Sequence, residues 1–150
     1  MITVRTAEER DIDSLVELLK LLFAIEKDFT FNEPLQRRGL ERMVRNDRGC
    51  VLVAEAEGRV IGMCSGQLTI STAEGGPALL VEDVVVAVPW RSRGTGRRLL
   101  EELENWAGGQ KISRLQLLAD RKNFHALGFY QNLGWETTQL ICLRKRITLS

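Results

Sequence analysis

One histidine and three cysteines occur among 150 residues, and each scarcity closes off a class of function. His125 has no second imidazole to join it in a histidine-rich metal centre, and a Ser–His pair would rest on it alone, so it reads as a solvated or packing residue on a helix. Cys50, Cys64 and Cys142 are odd in number, widely spaced and set in apolar, strand-like stretches. They suit neither a disulfide framework nor a zinc pattern and read as core thiols, so no metal is expected. Net charge is nearly absent as well: 21 basic against 20 acidic residues leave +1, which supplies no global field for nucleic acid or an anionic membrane. No apolar run reaches the length of a membrane span, and Met1-Ile2-Thr3-Val4-Arg5 lacks the apolar core of a secretory signal. A cytoplasmic protein is expected.

What is present is ordinary globular composition, 44% hydrophobic and 27% charged, without repeats, linkers or low-complexity segments, so residues 1–150 are expected to form a single domain. Residues 2–4 read as a strand. Thr6-Ala7-Glu8-Glu9 offers a capping box for a helix whose Ile12, Leu15, Val16, Leu19, Leu22 and Phe23 recur at helical spacing. Pro34 suits the first turn of a second helix to about Arg45. Apolar or alternating runs over 50–56 and 59–70 flank Glu57-Gly58, a hairpin signal, and 71–77 is a turn. Next come a strand over 79–88, a helix over 97–107 ended by Gly108-Gly109, a strand over 114–119, and a helix over about 122–133 stopped by Gly134. One long strand or a hairpin over 135–147 closes the chain.

The most informative stretch joins the strand Val81-Glu82-Asp83-Val84-Val85-Val86 to the helix after Gly96 through Arg91-Ser92-Arg93-Gly94-Thr95-Gly96-Arg97-Arg98. Unpaired backbone N–H groups at a helix start, with the positive end of the macrodipole, suit a pyrophosphate, and the four arginines add charge. Gly94 and Gly96 let the backbone approach or take positive φ. Other nucleotide motifs fit less well. No Gly-x-x-x-x-Gly-Lys-Ser/Thr run exists, and the third glycine of the dinucleotide fingerprint is replaced by Leu99.

Arg91-Ser92-Arg93-Gly94-Thr95-Gly96 resembles the Arg/Gln-x-x-Gly-x-Gly/Ala signature of the GNAT superfamily of acetyl-CoA-dependent N-acetyltransferases. A second block, from Leu115 through Asn123, Ala126, Phe129-Tyr130 and Gly134-Trp135, resembles that superfamily's downstream strand and helix in register. The resemblance implies an α/β fold, a mixed and mostly antiparallel sheet flanked by about four helices. It also implies acetyl-CoA as co-substrate, bound by the cradle residues Arg91, Ser92, Arg93, Gly94, Thr95, Gly96 and Arg97, by the backbone of Val84, Val85 and Val86, and by Asn123. One departure stands out: Ser92 occupies a position that is most often glycine.

By the same resemblance, Tyr130 is the general acid that protonates the departing sulfur, and Glu82 is the general base. Asn123 and Tyr130 lie about two turns apart on one helix face. Glu82 and Asp83 are neighbours on a strand, so their side chains are expected on opposite faces. The segment between the first two helices holds Glu26, Asp28 and Glu33 beside Phe29 and Phe31, a composition suited to a cationic amine with an apolar neighbour. With the Leu-Val-Glu-Asp-Val pattern, it resembles the diamine and polyamine acetyltransferases, which makes a small primary amine the expected acceptor. Two alternatives stand beside it, a protein or peptide N-acetyltransferase and a non-catalytic acyl-CoA-binding sensor. The run over 137–147 offers backbone for pairing in a homodimer.

Overall fold

The computed structural model describes residues 1–149. Internal packing divides the chain into a unit over Met1–Leu117 and a second unit from Leu118 onward.

The first unit is a five-stranded sheet in the order β1 (Ile2–Thr6), β2 (Gly49–Ala56), β3 (Arg59–Ser71), β4 (Gly76–Val86), β5 (Leu115–Leu117). The first four strands are antiparallel, and β5 runs parallel to β4. This is the mixed, mostly antiparallel sheet expected. Antiparallel neighbours close through tight turns. Glu57 and Gly58 take φ of 53° and 74°, the paired left-handed residues of a two-residue type I′ hairpin between Ala56 and Arg59.

Strand alternation divides the core between two faces. Val51, Val53, Met63 and Val85 meet Leu15, Val16, Leu19 and Leu22 of α1 (Ile12–Ile25) and Leu40 of α2 (Glu33–Arg45). The opposite face meets α3 (Thr95–Gly109), whose Leu99, Leu100, Leu103 and Ala107 are all at most 2% exposed. Each buried leucine contributes roughly 1.5–3 kcal/mol.

Helix ends show where local signals and tertiary contacts compete. Asn32 caps α2, its side chain accepting the Leu35 N–H at 3.3 Å, with Pro34 in the first turn. The start of α1 lies further along than the Thr6-based box suggests. Thr6 is still paired with Leu52, and the Ala7 N–H donates to Val51, so the sheet holds both residues extended. Asp11 takes over as the anchor of the entry turn, accepting the Glu8 N–H at 2.8 Å and both terminal nitrogens of Arg5. Nor does α3 stop at Gly108-Gly109. It passes through both and ends in a Schellman motif, with Ile112 N–H to Ala107 C=O, Lys111 N–H to Gly108 C=O, and Lys111 itself at φ 60°. The buried Ile112 and Ala107 supply the apolar contact that fixes this frame.

The second unit holds α4 (Phe124–Asn132) and the segment that follows it. The strand or hairpin expected over 135–147 is not formed. A strand exists only where a neighbouring backbone completes its ladder, and among the described residues the sheet ends at β5. Leu140, Ile141, Leu143 and Ile147 are exposed. Cys142 is exposed too, so only Cys50 and Cys64 are core thiols.

Candidate acyl-CoA and amine site

The turn after β4 is built to leave main-chain donors in the open. Ser92 and Gly94 both adopt left-handed backbone, φ 60° and 81°, which gives the turn the concavity of an anion nest. The Arg98 N–H makes the first helical bond, to Gly94 C=O at 3.0 Å, so the N–H groups of Thr95, Gly96 and Arg97 precede the ladder. No acidic residue occupies the first turn of α3 to offset its dipole. A Cβ added at Gly94 would meet nothing within 4 Å; the glycine serves the backbone conformation and leaves the approach open.

The arginines of the turn divide their work. Arg91 donates from Nε to the Val86 carbonyl at 2.9 Å and ties the turn to the end of β4. The Arg93 guanidinium lies 5.0 Å from the Trp90 ring centroid, in cation–π range. Arg97 is exposed in the first turn of α3, whereas Arg98 donates to the Ile2 carbonyl and braces β1. Thr95 is 1% exposed and donates its hydroxyl to the Trp90 carbonyl at 3.2 Å, so its side chain closes the turn and only its N–H is left for a phosphate. Trp90 was not among the residues singled out in the sequence; its signal was Pro89, which sets a 3-10 turn over Val88–Trp90 ahead of the arginines.

Upstream, β4 parts from its neighbour. β5 pairs only with Leu79, Leu80 and Val81, so Glu82–Val86 has no β5 partner. That stretch includes Val84, Val85 and Val86, whose N–H and C=O groups can meet an extended, amide-bearing ligand as a further strand would. The same place carries a β-bulge, because Ser65 pairs with Glu82 while Met63 pairs with Val85, leaving Asp83 and Val84 opposite Cys64. Asp83 takes φ 54° to accommodate it.

The bulge interrupts the regular alternation of β4 at Glu82 and Asp83. Ser65, 2% exposed, donates its hydroxyl to the Glu82 main-chain carbonyl at 3.1 Å. Burial, then the negative charges of Glu82 and Glu26, push the Asp83 carboxyl up to about 7, with Ser65 acting in the opposite direction. Glu82 is exposed, and its carboxylate accepts from Gln67 Nε2 at 3.2 Å.

Of the three acidic residues expected to receive an amine, one is brought to this place. Glu26 is the C-cap of α1 and acts electrostatically on Asp83. Glu33 instead accepts from Arg37 Nε at 2.6 Å, one helical turn away, and the same guanidinium reaches Asp13 at 2.7 Å. Asp28 is exposed. The bulge and the roles of Ser65 and Gln67 escaped sequence reasoning. Their one signal was an aspartate in a valine-rich strand, since Asp tolerates left-handed backbone better than most side chains.

In the second unit Asn123 precedes α4 and does not lie on its face. Its side-chain oxygen caps the helix by accepting the Ala126 N–H at 3.1 Å, which leaves the amide NH2 for other partners. Tyr130 sits in the last turn. A Schellman motif holds that end, with Trp135 N–H to Tyr130 C=O, Gly134 N–H to Gln131 C=O, and Gly134 at φ 94°. The Tyr130 and Trp135 rings meet edge to face at 5.8 Å. Among the described residues no group of His, Cys, Asp and Glu is arranged to hold a metal.

The acetyltransferase (GNAT) family model matches residues 13–135. Mouse N-alpha-acetyltransferase 80 is 48% identical over 59 residues, a match that covers 39% of this chain and 18% of that protein's length. A possible acetyltransferase from Clostridium difficile 630 superposes with a TM-score of 0.88 at 17% identity, covering 99% of each chain. A predicted acetyltransferase from Clostridium acetobutylicum, solved with acetyl-CoA, gives 0.81 at 19% identity over 96% of each. An aminoglycoside acetyltransferase from an uncultured soil metagenomic sample, solved with sisomicin, gives 0.80 at 17% identity over 98% of this chain and 97% of its own. At these identities the structural likeness is one of fold, and it agrees with the family match over most of the chain. The chain belongs to the acetyltransferase (GNAT) family.

Proposed function

We propose that this protein transfers the acetyl group of acetyl-CoA to the primary amine of a small cationic molecule. The observation that carries the reading is the pairing of two features at the two ends of one strand segment. An open, arginine-rich nest follows β4, and a bulged, β5-free stretch with two carboxylates precedes it. The nest suits the pyrophosphate, and the edge of Val84, Val85 and Val86 that β5 leaves unpaired suits the amide-bearing pantetheine arm. Glu26, Glu82 and Asp83 concentrate negative charge, which favours an ammonium. In this reading a β4 carboxylate takes the amine's proton, and the Tyr130 phenol returns one to the departing thiolate. Asn123 contributes its free amide hydrogens to the cofactor.

A second reading has one observation in its favour. The 59-residue match to mouse N-alpha-acetyltransferase 80 supports a protein or peptide N-terminus as acceptor. A sensor that binds acyl-CoA without transfer has no such support.

Thiol release from acetyl-CoA, followed against polyamines, amino acids, aminoglycosides, amino sugars and short peptides, separates these readings. Turnover with a free polyamine or aminoglycoside above every peptide is expected. Preference for peptides would replace the small-molecule reading with the second one. A thermal shift with acetyl-CoA but no release from any acceptor would point to a sensor, and no shift at all would remove the cradle assignment.

A further inference from the structure

The solvent face of α2 carries positive charge that the rest of the chain does not use. We infer that this face is a docking surface for an extended acidic segment of a partner protein, whose main chain lies over Gly39, whose carboxylates meet Arg38 and Arg42, and whose apolar side chain rests on Leu35. The surface belongs to α2 rather than to the turn after β4, and the inference does not depend on the acetyl-transfer reading.

At about 3.6 residues per turn, Leu35, Arg38, Gly39 and Arg42 share one side of the helix, opposite the buried Leu40, and all four are exposed. The arginines of α2 fall into two groups. Arg37 meets Glu33 at 2.6 Å and Asp13 at 2.7 Å, and Arg45 meets Glu9 at 2.6 Å, so each already has a carboxylate. Arg38 and Arg42, one turn apart, form no ion pair among the described residues. Gly39 between them is an independent observation. A glycine inside a helix loses more conformational freedom on folding than any other residue and weakens the helix. Tight packing would explain that cost, yet a Cβ at Gly39 would meet nothing within 4 Å, so no contact inside this chain requires the glycine. Nor does it take positive φ or cap the helix, which continues to Arg45. What it leaves is bare main chain flanked by two guanidinium groups, with an exposed leucine one turn earlier.

Spacing and charge define the occupant. Arg38 and Arg42 are separated by about 6 Å along the helix axis, close to the roughly 6.6 Å between same-face side chains of an extended chain. Acidic side chains at alternate positions therefore reach both. A planar guanidinium takes a carboxylate through two parallel N–H···O bonds, which orients the segment as well as attracting it. The flanks select a peptide over a nucleic acid. Glu9 and Glu41 place negative charge beside Arg45, and Asp13 does so beside Arg37, so a continuous phosphate backbone would be repelled on either side of the stripe. Leu35 and the bare backbone at Gly39 offer a phosphate nothing, whereas a peptide has an apolar side chain for the first and main chain slim enough for the second.

Fluorescence anisotropy on the full chain, without acetyl-CoA, tests the surface. The labelled probes are a short peptide in which Glu alternates with Ser and which ends in Leu, its counterpart with Gln for Glu, and an oligouridylate of similar length. The acidic peptide should bind, more weakly as salt is raised, and the Gln counterpart should bind at least about tenfold less tightly. Replacing both arginines, Arg38→Gln with Arg42→Gln, should lower affinity for the acidic peptide about tenfold. Arg59→Gln, at an exposed arginine of the β2–β3 hairpin, should change it less than about twofold. Gly39→Gln separates docking from a structural role. Glutamine is a good helix former, so the melting temperature should rise by about 1–4 °C, while its side chain covers the bare strip and lowers affinity about tenfold. A Gly39→Gln variant that binds as the wild type does, a Gln probe that binds as well as the acidic one, or no binding of the acidic probe at low salt overturns the proposal. Tighter binding of the oligouridylate than of the acidic peptide overturns it as well, in favour of a nucleic-acid surface.

Discussion

At the scale of single residues, the site is governed by left-handed backbone outside glycine. Asp83 and Ser92 both take positive φ within ten positions of one another, one in the bulge and one in the phosphate turn. Ser92 stands where the family most often has glycine, and its φ of 60° shows why that residue is favoured. Ser92→Gly should therefore leave acetyl-CoA affinity within about threefold. It relieves left-handed strain while increasing the freedom of the unfolded chain, so the two effects oppose and the net gain in stability should not exceed about 1 kcal/mol. Ser92→Val, a β-branched residue in the same conformation, should lower both stability and affinity, by roughly 1–2 kcal/mol in the melt. Isothermal titration with coenzyme A beside a urea melt checks both. A valine variant that binds normally would show that the turn does not hold the ligand through its backbone.

Elements set how much of each residue's chemistry is available. α2 takes up Glu33 through Arg37, although Glu33 and Glu26 were equally plausible amine contacts in the sequence. The start of α3 takes up the Thr95 hydroxyl, leaving its main chain. The end of α3 is instructive because the sequence offers two glycines as a stop and the helix ignores both. Ile112 is only 8% exposed, and burying it fixes the last turn so that Lys111 falls in the left-handed position. Lys111→Gly should stabilise the protein by about 0.5–1 kcal/mol, since a glycine at that cap removes the strain of a side chain. A thermal melt reads this directly. Unchanged or lowered stability would mean that the lysine stem contributes packing that offsets the strain.

For the molecule as a whole, the first unit was largely legible in the sequence. Pro34 marked the start of α2, and Glu57-Gly58 marked a hairpin, each by a signal read within a few residues. The C-terminal segment was not. Its apolar pattern over 135–147 suits a strand, yet it forms none among the described residues, and Leu140, Ile141, Leu143 and Ile147 are between 72% and 86% exposed. Apolar exposure on this scale favours association, and we propose that a second copy covers the segment in a homodimer. Light scattering should give twice the chain mass at micromolar concentration, and Leu143→Glu should shift the protein toward monomer. A monomeric wild type across that range would remove the proposal.

By itself, the sequence determined the features that depend on neighbours along the chain: the spacing that buries one side of α1, the tight turn at Glu57-Gly58, and the arginine–glycine turn that identifies the family. Backbone preferences and short hydrogen bonds act over a few residues and need no fold to be read. Tertiary structure alone decided which carboxylates act electrostatically on Asp83, since Glu26 comes from the end of α1. It also decided that the Thr95 hydroxyl is buried, that α3 runs past its glycines, and that the final apolar run forms no strand. Each of these outcomes is set by burial or by a partner far away in sequence, and periodicity carries no record of either.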